Sequence, residues 1–388
     1  MFDVVIVGAR CAGSPLARRL SSAGHRVALV DRSSFPSDTV STHFLWQRAA
    51  ARLERWGLRA ELEKRGCRPI DELVFDVGPV QLRGAGPPED GISTMYCPRR
   101  TVLDSILVDA AVDAGAELME GFVVDDLRWS DGRVAGVIGH QRGSTASITL
   151  DARVVVGADG RHSSVGARVG ATTYNEHPTL TGVYYSYWSG LGELGASFHA
   201  RAGRLVLVWP TNDDLTCIYV AWPHHEMDSV RRDVDAAFHD ALGLVPGLRE
   251  AVSTGYREQR YAGTRDLSNF YRTSAGPGWA LAGDAGHHKD SSTGMGITDA
   301  FASADLLADA LDNALTDRIP LQEALCDYQR QRDEATANSY ALTLSTAKLA
   351  PLSARLEDFY RRAADDPAAV EQIFGVLSGS LPARDVFR

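Results

Sequence analysis

The apolar positions of this chain follow two patterns, and the patterns predict two kinds of sheet. Phe2-Asp-Val-Val-Ile-Val is apolar almost without a break, as expected of a strand covered on both faces. Ala152-Arg-Val-Val-Val, the short run Trp279-Ala-Leu-Ala and the stretch Gly24-His-Arg-Val-Ala-Leu-Val-Asp31 share that character. A helix from Ser14 to Ala23 is predicted between the first strand and Gly24, which makes a βαβ unit with a parallel sheet. The second pattern is dense in aromatics. Thr181 to Trp188, Arg204 to Trp209 and Leu215 to Trp222 predict an antiparallel sheet, to which the short runs Leu73–Val77 and Pro79–Leu82 belong. Alternation puts Tyr185 and Tyr187 on one face of their strand, with Tyr184, Ser186 and Trp188 on the other. Asp233 to Leu242 reads as a helix on that sheet. From Leu321 onward the pattern is helical, broken at Pro351 and Pro367, and is expected to pack against the parallel unit.

Composition narrows the class. The chain has 388 residues, enough for two domains, and 44% hydrophobic residues, enough for substantial cores. Its formal net charge of −10 argues against nucleic acid or an anionic membrane surface as partner. No apolar run is long enough to span a bilayer, and a chain that opens on a core strand is read as having no signal peptide. Cys11, Cys67, Cys97, Cys217 and Cys326 show no paired metal spacing and suit a reducing, cytoplasmic setting. The pairs His224-His225 and His287-His288 are expected at the surface or in turns, because adjacent side chains on a strand point apart and no third metal ligand has suitable spacing.

Candidate chemistry gathers at three junctions. The first strand runs into Gly8-Ala-Arg10-Cys11-Ala12-Gly13-Ser14, and Asp31 closes the next strand; this is a dinucleotide fingerprint with its ribose-binding acid in place. The middle glycine of the fingerprint is replaced by Arg10, whose charge is expected to compensate at the pyrophosphate. In mid-chain a buried strand ends in Asp159-Gly160, with hydroxyls at Ser163 and Ser164. Near the C-terminal third, Gly283-Asp284 ends an apolar run, and Gly294-Met295-Gly296 opens a helix whose N-terminus favours an anionic ligand.

In that order, the three motifs resemble the FAD-dependent monooxygenases of the para-hydroxybenzoate hydroxylase type, a scaffold shared with geranylgeranyl reductases and flavin-dependent halogenases. The resemblance covers nearly the whole chain. It implies an α/β fold: a Rossmann-like FAD-binding domain (residues 1–70, 97–173 and 265–345), an inserted, mostly antiparallel β-sheet substrate domain (71–96 and 174–264) and a C-terminal helical segment (346–388). It also implies FAD as cofactor, with NADPH or NADH as reductant. Carried over, Gly8 to Ser14 would meet the pyrophosphate and Asp31 with Arg32 the adenosine. Arg100 would sit beside the cofactor, and the backbone of Val124 would touch adenine. Asp159, with Gly160, would help hold FAD and the passing nicotinamide, and Asp284 after Gly283 would bond the ribityl chain. The Gly294–Ile297 backbone would face the pyrimidine end of the flavin. Thr42 and His43 would line the active site, and Tyr185, Tyr187 and Trp209 would form a substrate wall.

Two positions depart from the family: Ser291 stands where proline is usual, and Thr298 where asparagine is usual. The activity implied is an NAD(P)H-dependent monooxygenase that uses O₂ and a flavin C4a-hydroperoxide to hydroxylate or epoxidise an aromatic or polycyclic small molecule. Phe35-Pro-Ser-Asp looks more like the reductase and halogenase branches, so a prenyl-chain reductase is the alternative. A halogenase fits less well, because the Trp-x-Trp-x-Ile-Pro stretch is missing and no lysine lies between Arg32 and Glu63. A flavin-fold protein that binds a labile intermediate without turnover is the reading from another class.

Overall fold

The computed structural model describes Met1–Phe387. Its first sheet is the parallel one. In spatial order it runs Ala275–Gly276, Trp279–Leu281, Ile148–Gly157, Phe2–Val7, Val27–Asp31 and Glu117–Glu120, with the hairpin Phe122–Ser130/Arg133–Gln141 joined to Ile148–Gly157. Val5 lies between Ala28 and Val155, so the opening strand is central and parallel to both neighbours. That position explains its unbroken apolar run. Val4 and Ile6 pack with Leu16, Leu20 and Phe301 of two helices on one face, while Val5 packs with Phe122 and Leu127 on the other. Both faces are dry.

The second sheet contains the aromatic strands. Thr181–Ser189 pairs antiparallel with Thr216–Pro223, which pairs with Arg204–Pro210 and then Ala196–Arg201. Leu73–Asp76 adds to Ala196–Arg201 in parallel and turns back through Gln81–Gly84. One face carries Trp188, Val206, Ile218 and Trp222 against Phe238 of the helix Val234–Leu242. Asp233 caps that helix by accepting a hydrogen bond from the Ala236 amide at 3.0 Å. The opposite face carries Val183, Tyr185, Tyr187 and Tyr219. The molecule is thus a mixed α/β protein with helices gathered at its C-terminal end.

The C-terminal helices depart from expectation. Leu321–Thr346 does pack on Gly296–Leu315 beside the parallel sheet. Ala354–Ala363 and Pro367–Leu377 instead lie beneath the second sheet, where Val370 and Phe374 come so close to Gly84 that a Cβ there would sit 3.0 Å from Val370 Cγ1. The exposed apolar edge of the Leu73–Gly84 strands needed a cover, and these helices supply it. Pro367 opens the last long helix, its missing N–H being one that a first turn leaves unpaired anyway. At its end the chain touches the parallel unit once more: Arg48 Nη1 donates to the Gly379 carbonyl at 3.1 Å, and Met295 packs against Gly379.

Candidate functional site

One cavity of about 720 Å³ runs from the Gly8 turn to the aromatic face of the second sheet. Its nucleotide end is shaped by the backbone. Gly8 has φ +109°, and a Cβ on Gly13 would lie 1.8 Å from the Gly8 carbonyl oxygen, so turn and helix approach closer than any side chain allows. Asp31 accepts from the Ala9 amide at 2.8 Å and from the Ser33 amide at 2.7 Å, holding the strand end beside Arg32 and Val124. Cys11 and Ala12 line the same end. Gly13 and Ser14 do not; they are buried in the start of the helix, where the Ser14 hydroxyl has no partner.

Arg10 lines the cavity as well, but it also has partners within the protein. Its Nη1 meets Asp104 at 2.6 Å and its Nη2 meets Ser37 Oγ at 2.9 Å, so its charge is answered inside the protein. Asp104, fully buried, also takes two hydrogen bonds at 3.0 Å from Arg100 Nη2 and one from the Cys11 thiol. Burial pulls the Arg100 pKa down, but the charges of Asp104 and Asp284 more than offset this and hold the guanidinium cationic. Burial raises the Cys11 thiol far above its ordinary range, which makes it an inert filler. Asp104 was missed in the sequence, although its spacing of four from Arg100 is a helix-face pair.

Asp159 is likewise engaged. Its Oδ1 accepts from Ser163 Oγ at 2.5 Å and its Oδ2 from the Ser164 amide at 2.6 Å, securing the helix Ser164–Arg168, while Gly160 next to it faces open space. Asp284 differs. It borders the cavity just past Trp279–Leu281 and makes no hydrogen bond among the described residues. Gly283 before it has φ +57°, and a Cβ there would strike Ala12 at 2.7 Å. Across from Asp284 the Gly296–Leu315 helix presents its N-terminus, where Gly296 opens on free space and Ile297 lines the wall. Gly294 and Met295 stand behind this rim, Gly294 in a left-handed turn at φ +65° and Met295 buried. A close-packed phosphate turn, a free carboxylate and an open helix N-terminus in one cavity suit an extended anionic dinucleotide such as FAD.

At the far end the sheet supplies the wall. Tyr185 and Tyr219 are directly opposed across their strands, and both line the cavity. Tyr219 hydrogen-bonds Ser291 at 2.8 Å, so the serine that replaces the usual proline holds a phenol. Burial, then the nearby Asp290 charge, raise the Tyr219 pKa well above normal, and the phenol stays neutral. Thr42 lines the cavity; His43 lies behind it, fully buried at φ +65°, with Nε2 2.8 Å from the Tyr187 hydroxyl and Nδ1 unpartnered. Burial, with Arg100 and Arg99 adding repulsion, lowers the His43 pKa to about 3, so the ring is neutral. Tyr187 stands behind Tyr185 rather than on the cavity wall. Trp209 is no wall residue. It is wholly buried and stacks on Phe44 at 4.4 Å, because its side of the sheet is covered there by the Phe44–Trp46 segment.

The histidine pairs divide. His224 and His225 lie in a surface turn, as expected. His287 and His288 do not; both are buried and border the cavity, His287 against Tyr271 and Tyr340 of the Leu321–Thr346 helix and His288 against Phe270. Beside them Lys289 is buried in an ion pair with Asp299, and its Nζ donates to Ser339 Oγ at 2.7 Å. No group of three His, Cys, Asp or Glu among the described residues could hold a metal, and all five cysteines are free.

A parallel sheet with a tight glycine turn, a carboxylate at a strand end and a helix N-terminus bordering one cavity suits a dinucleotide-binding flavoprotein. More particularly, the chain belongs to the FAD binding domain family of the para-hydroxybenzoate hydroxylase type, whose model matches residues 1–339. It is an FAD-dependent enzyme of the oxidoreductase and monooxygenase group. Among relatives, it is 28% identical to the menaquinone reductase of Mycolicibacterium smegmatis over 356 residues, covering 88% of this chain and 84% of that one. In fold it matches the myxobacterial chondrochloren halogenase CndH with a TM-score of 0.82 at 19% identity, over 100% of this chain and 99% of the other. It also matches PqsL of Pseudomonas aeruginosa, in complex with 2-aminobenzoylacetate, with a TM-score of 0.74 at 22% identity over 97% and 99% of the two chains. No helix among the described residues is long and apolar enough to cross a membrane.

Proposed function

We propose that this enzyme is an NAD(P)H-dependent monooxygenase that oxygenates an aromatic or polycyclic small molecule. The observation that carries the reading is the single cavity that joins a dinucleotide end to an aromatic sheet wall at Tyr185 and Tyr219. FAD, when bound, would accept reducing equivalents from the nicotinamide cofactor and deliver them to O₂ for oxygen transfer.

The chain's own residues do the rest. Gly8, Arg10, Cys11 and Ala12 would admit the pyrophosphate, Asp31 and Arg32 the adenosine, Val124 the adenine and Asp284 the ribityl chain. The Gly296–Ile297 amides would stabilise negative charge at the pyrimidine end of the reduced ring. Thr42, Tyr185 and Tyr219 would close the reaction chamber against water, and the neutral His43 and Tyr187 behind them place no charge there. Residues 71–96 and 174–264 would form the substrate unit on the cofactor domain. Free thiols suit the cytoplasm as its compartment.

A second reading is double-bond reduction of a prenyl chain. The similarity to a menaquinone reductase and the serine at position 291 favour it. Purified flavoprotein separates the readings when NAD(P)H oxidation and O₂ uptake are followed across a panel of aromatic compounds. Substrate-stimulated O₂ uptake is expected. Anaerobic reduction of a polyprenyl double bond would replace the first reading with the second, and flavin that no pyridine nucleotide reduces would leave only a binding protein.

A further inference from the structure

The substrate end of the cavity has an unusual balance of groups. Its charged side chains are already answered: Lys289 by Asp299, and Asp290 by the Thr181 hydroxyl at 2.6 Å and the Ser292 amide at 3.0 Å. What faces the chamber from the sheet is apolar surface from Val183 together with two phenols, and Leu267 of the loop after Ala262–Thr264 adds to the apolar surface. Tyr185 reaches only a marginal acceptor, the Thr39 carbonyl at 3.5 Å. Tyr219 meets Ser291 Oγ, a partner that can itself act as donor or acceptor. Proline at position 291 would give Tyr219 no hydroxyl to meet.

We propose that Tyr219, oriented by Ser291, donates a hydrogen bond to a carbonyl or comparable neutral oxygen on a flat aromatic substrate, so that the site selects neutral, oxygen-bearing aromatics over both hydrocarbons and aromatic carboxylates. This rests on the aromatic-substrate reading above. With Ser291 donating to the Tyr219 oxygen, the phenolic proton is free for the ligand, and the pair polarises it. A ligand without oxygen would leave that buried donor unpaired, which sites of this kind reject. A carboxylate would enter a chamber with no unanswered cation on the sheet wall, and its desolvation would not be repaid. Ser291 is a positioning residue in this arrangement, since it acts through Tyr219.

The test uses FAD-loaded protein and three probes of one shape: 2-acetylnaphthalene, 2-ethylnaphthalene and 2-naphthoate. Binding is read from the perturbation of the flavin absorbance, so no turnover is needed. Wild type should hold the ketone about tenfold tighter than either other probe, the upper range for one neutral hydrogen bond. Tyr219→Phe should lose the preference for ketone over hydrocarbon while keeping its hydrocarbon affinity, and Ser291→Ala should lose part of the preference. A double mutant no worse than Tyr219→Phe alone is expected if Ser291 works only through the phenol. Full retention of FAD and of the unfolding midpoint in Tyr219→Phe guards against a folding defect. An undiminished ketone preference in Tyr219→Phe, or tightest binding of the naphthoate, would overturn this proposal and leave the aromatic reading standing. Failure of all three probes to bind would overturn both.

Discussion

At the scale of single residues, Asp284 and His43 carry the sharpest consequences. Asp284 is a carboxylate at a strand end with no hydrogen-bond partner among the described residues, beside a glycine that nothing larger can replace. Replacing it with alanine should leave the fold intact and weaken FAD retention by about ten- to a hundredfold, the range for a hydrogen bond to a charged acceptor. The flavin-to-protein ratio after gel filtration measures this, and full occupancy would remove Asp284 from the ribityl chain. His43 has a different signature, because its folded pKa is depressed to about 3. The unfolded chain takes up a proton at this residue near pH 6.5 and the folded one does not, so the unfolded state binds more protons between those values. Stability from this source is therefore complete above pH 6.5 and falls on acidification, by about 1.4 kcal/mol per pH unit inside the window. His287 is shifted the same way, by burial first and Lys289 second. His43→Asn, which tolerates the left-handed backbone at this position, should flatten the decline of the urea midpoint between pH 7 and pH 5.

At the scale of elements, the Gly8–Gly13 turn is the most constrained junction. A methyl group at position 13 would overlap the Gly8 carbonyl, so Gly13→Ala should yield protein that neither retains flavin nor unfolds cooperatively, as read by absorbance and a denaturant titration. This junction was legible in the sequence because its cause is local: an unbroken apolar run, glycines at a fixed spacing and an acid at the next strand end. Alternation likewise gave the correct face for Tyr185. It did not give position along that face, which is why Trp209 reads like a wall residue and is a stacked filler under Phe44. Tyr219 stands opposite Tyr185 by strand register, a relation no single strand contains. His287 looks like a turn residue until Tyr340, on the helix that starts at Leu321, covers it, and His288 until Phe270 stacks on it. Asp104 answers Arg10 across a separation of 94 residues, and only folding brings them together.

At the scale of the whole molecule, the last two long helices close the underside of the second sheet. Phe374 is fully buried there with Val370 and Ile373. Phe374→Ala should lower stability by about 3–5 kcal/mol in a chemical denaturation series, with flavin stoichiometry of the folded fraction unchanged. An unchanged midpoint would mean that these helices are an appendage and no part of the core. Beyond Phe374 the chain turns at Gly379 and rests on Met295 and Arg48. The turn at Gly379 thus leans on Met295, just before the helix N-terminus that borders the cavity. Loading FAD should therefore slow amide exchange at Ser378–Leu381, and by the reciprocity of linked equilibria trimming the tail should loosen the cofactor to the same degree. The turn at Gly379 would then act as a gauge of whether the fingerprint after the first strand is filled.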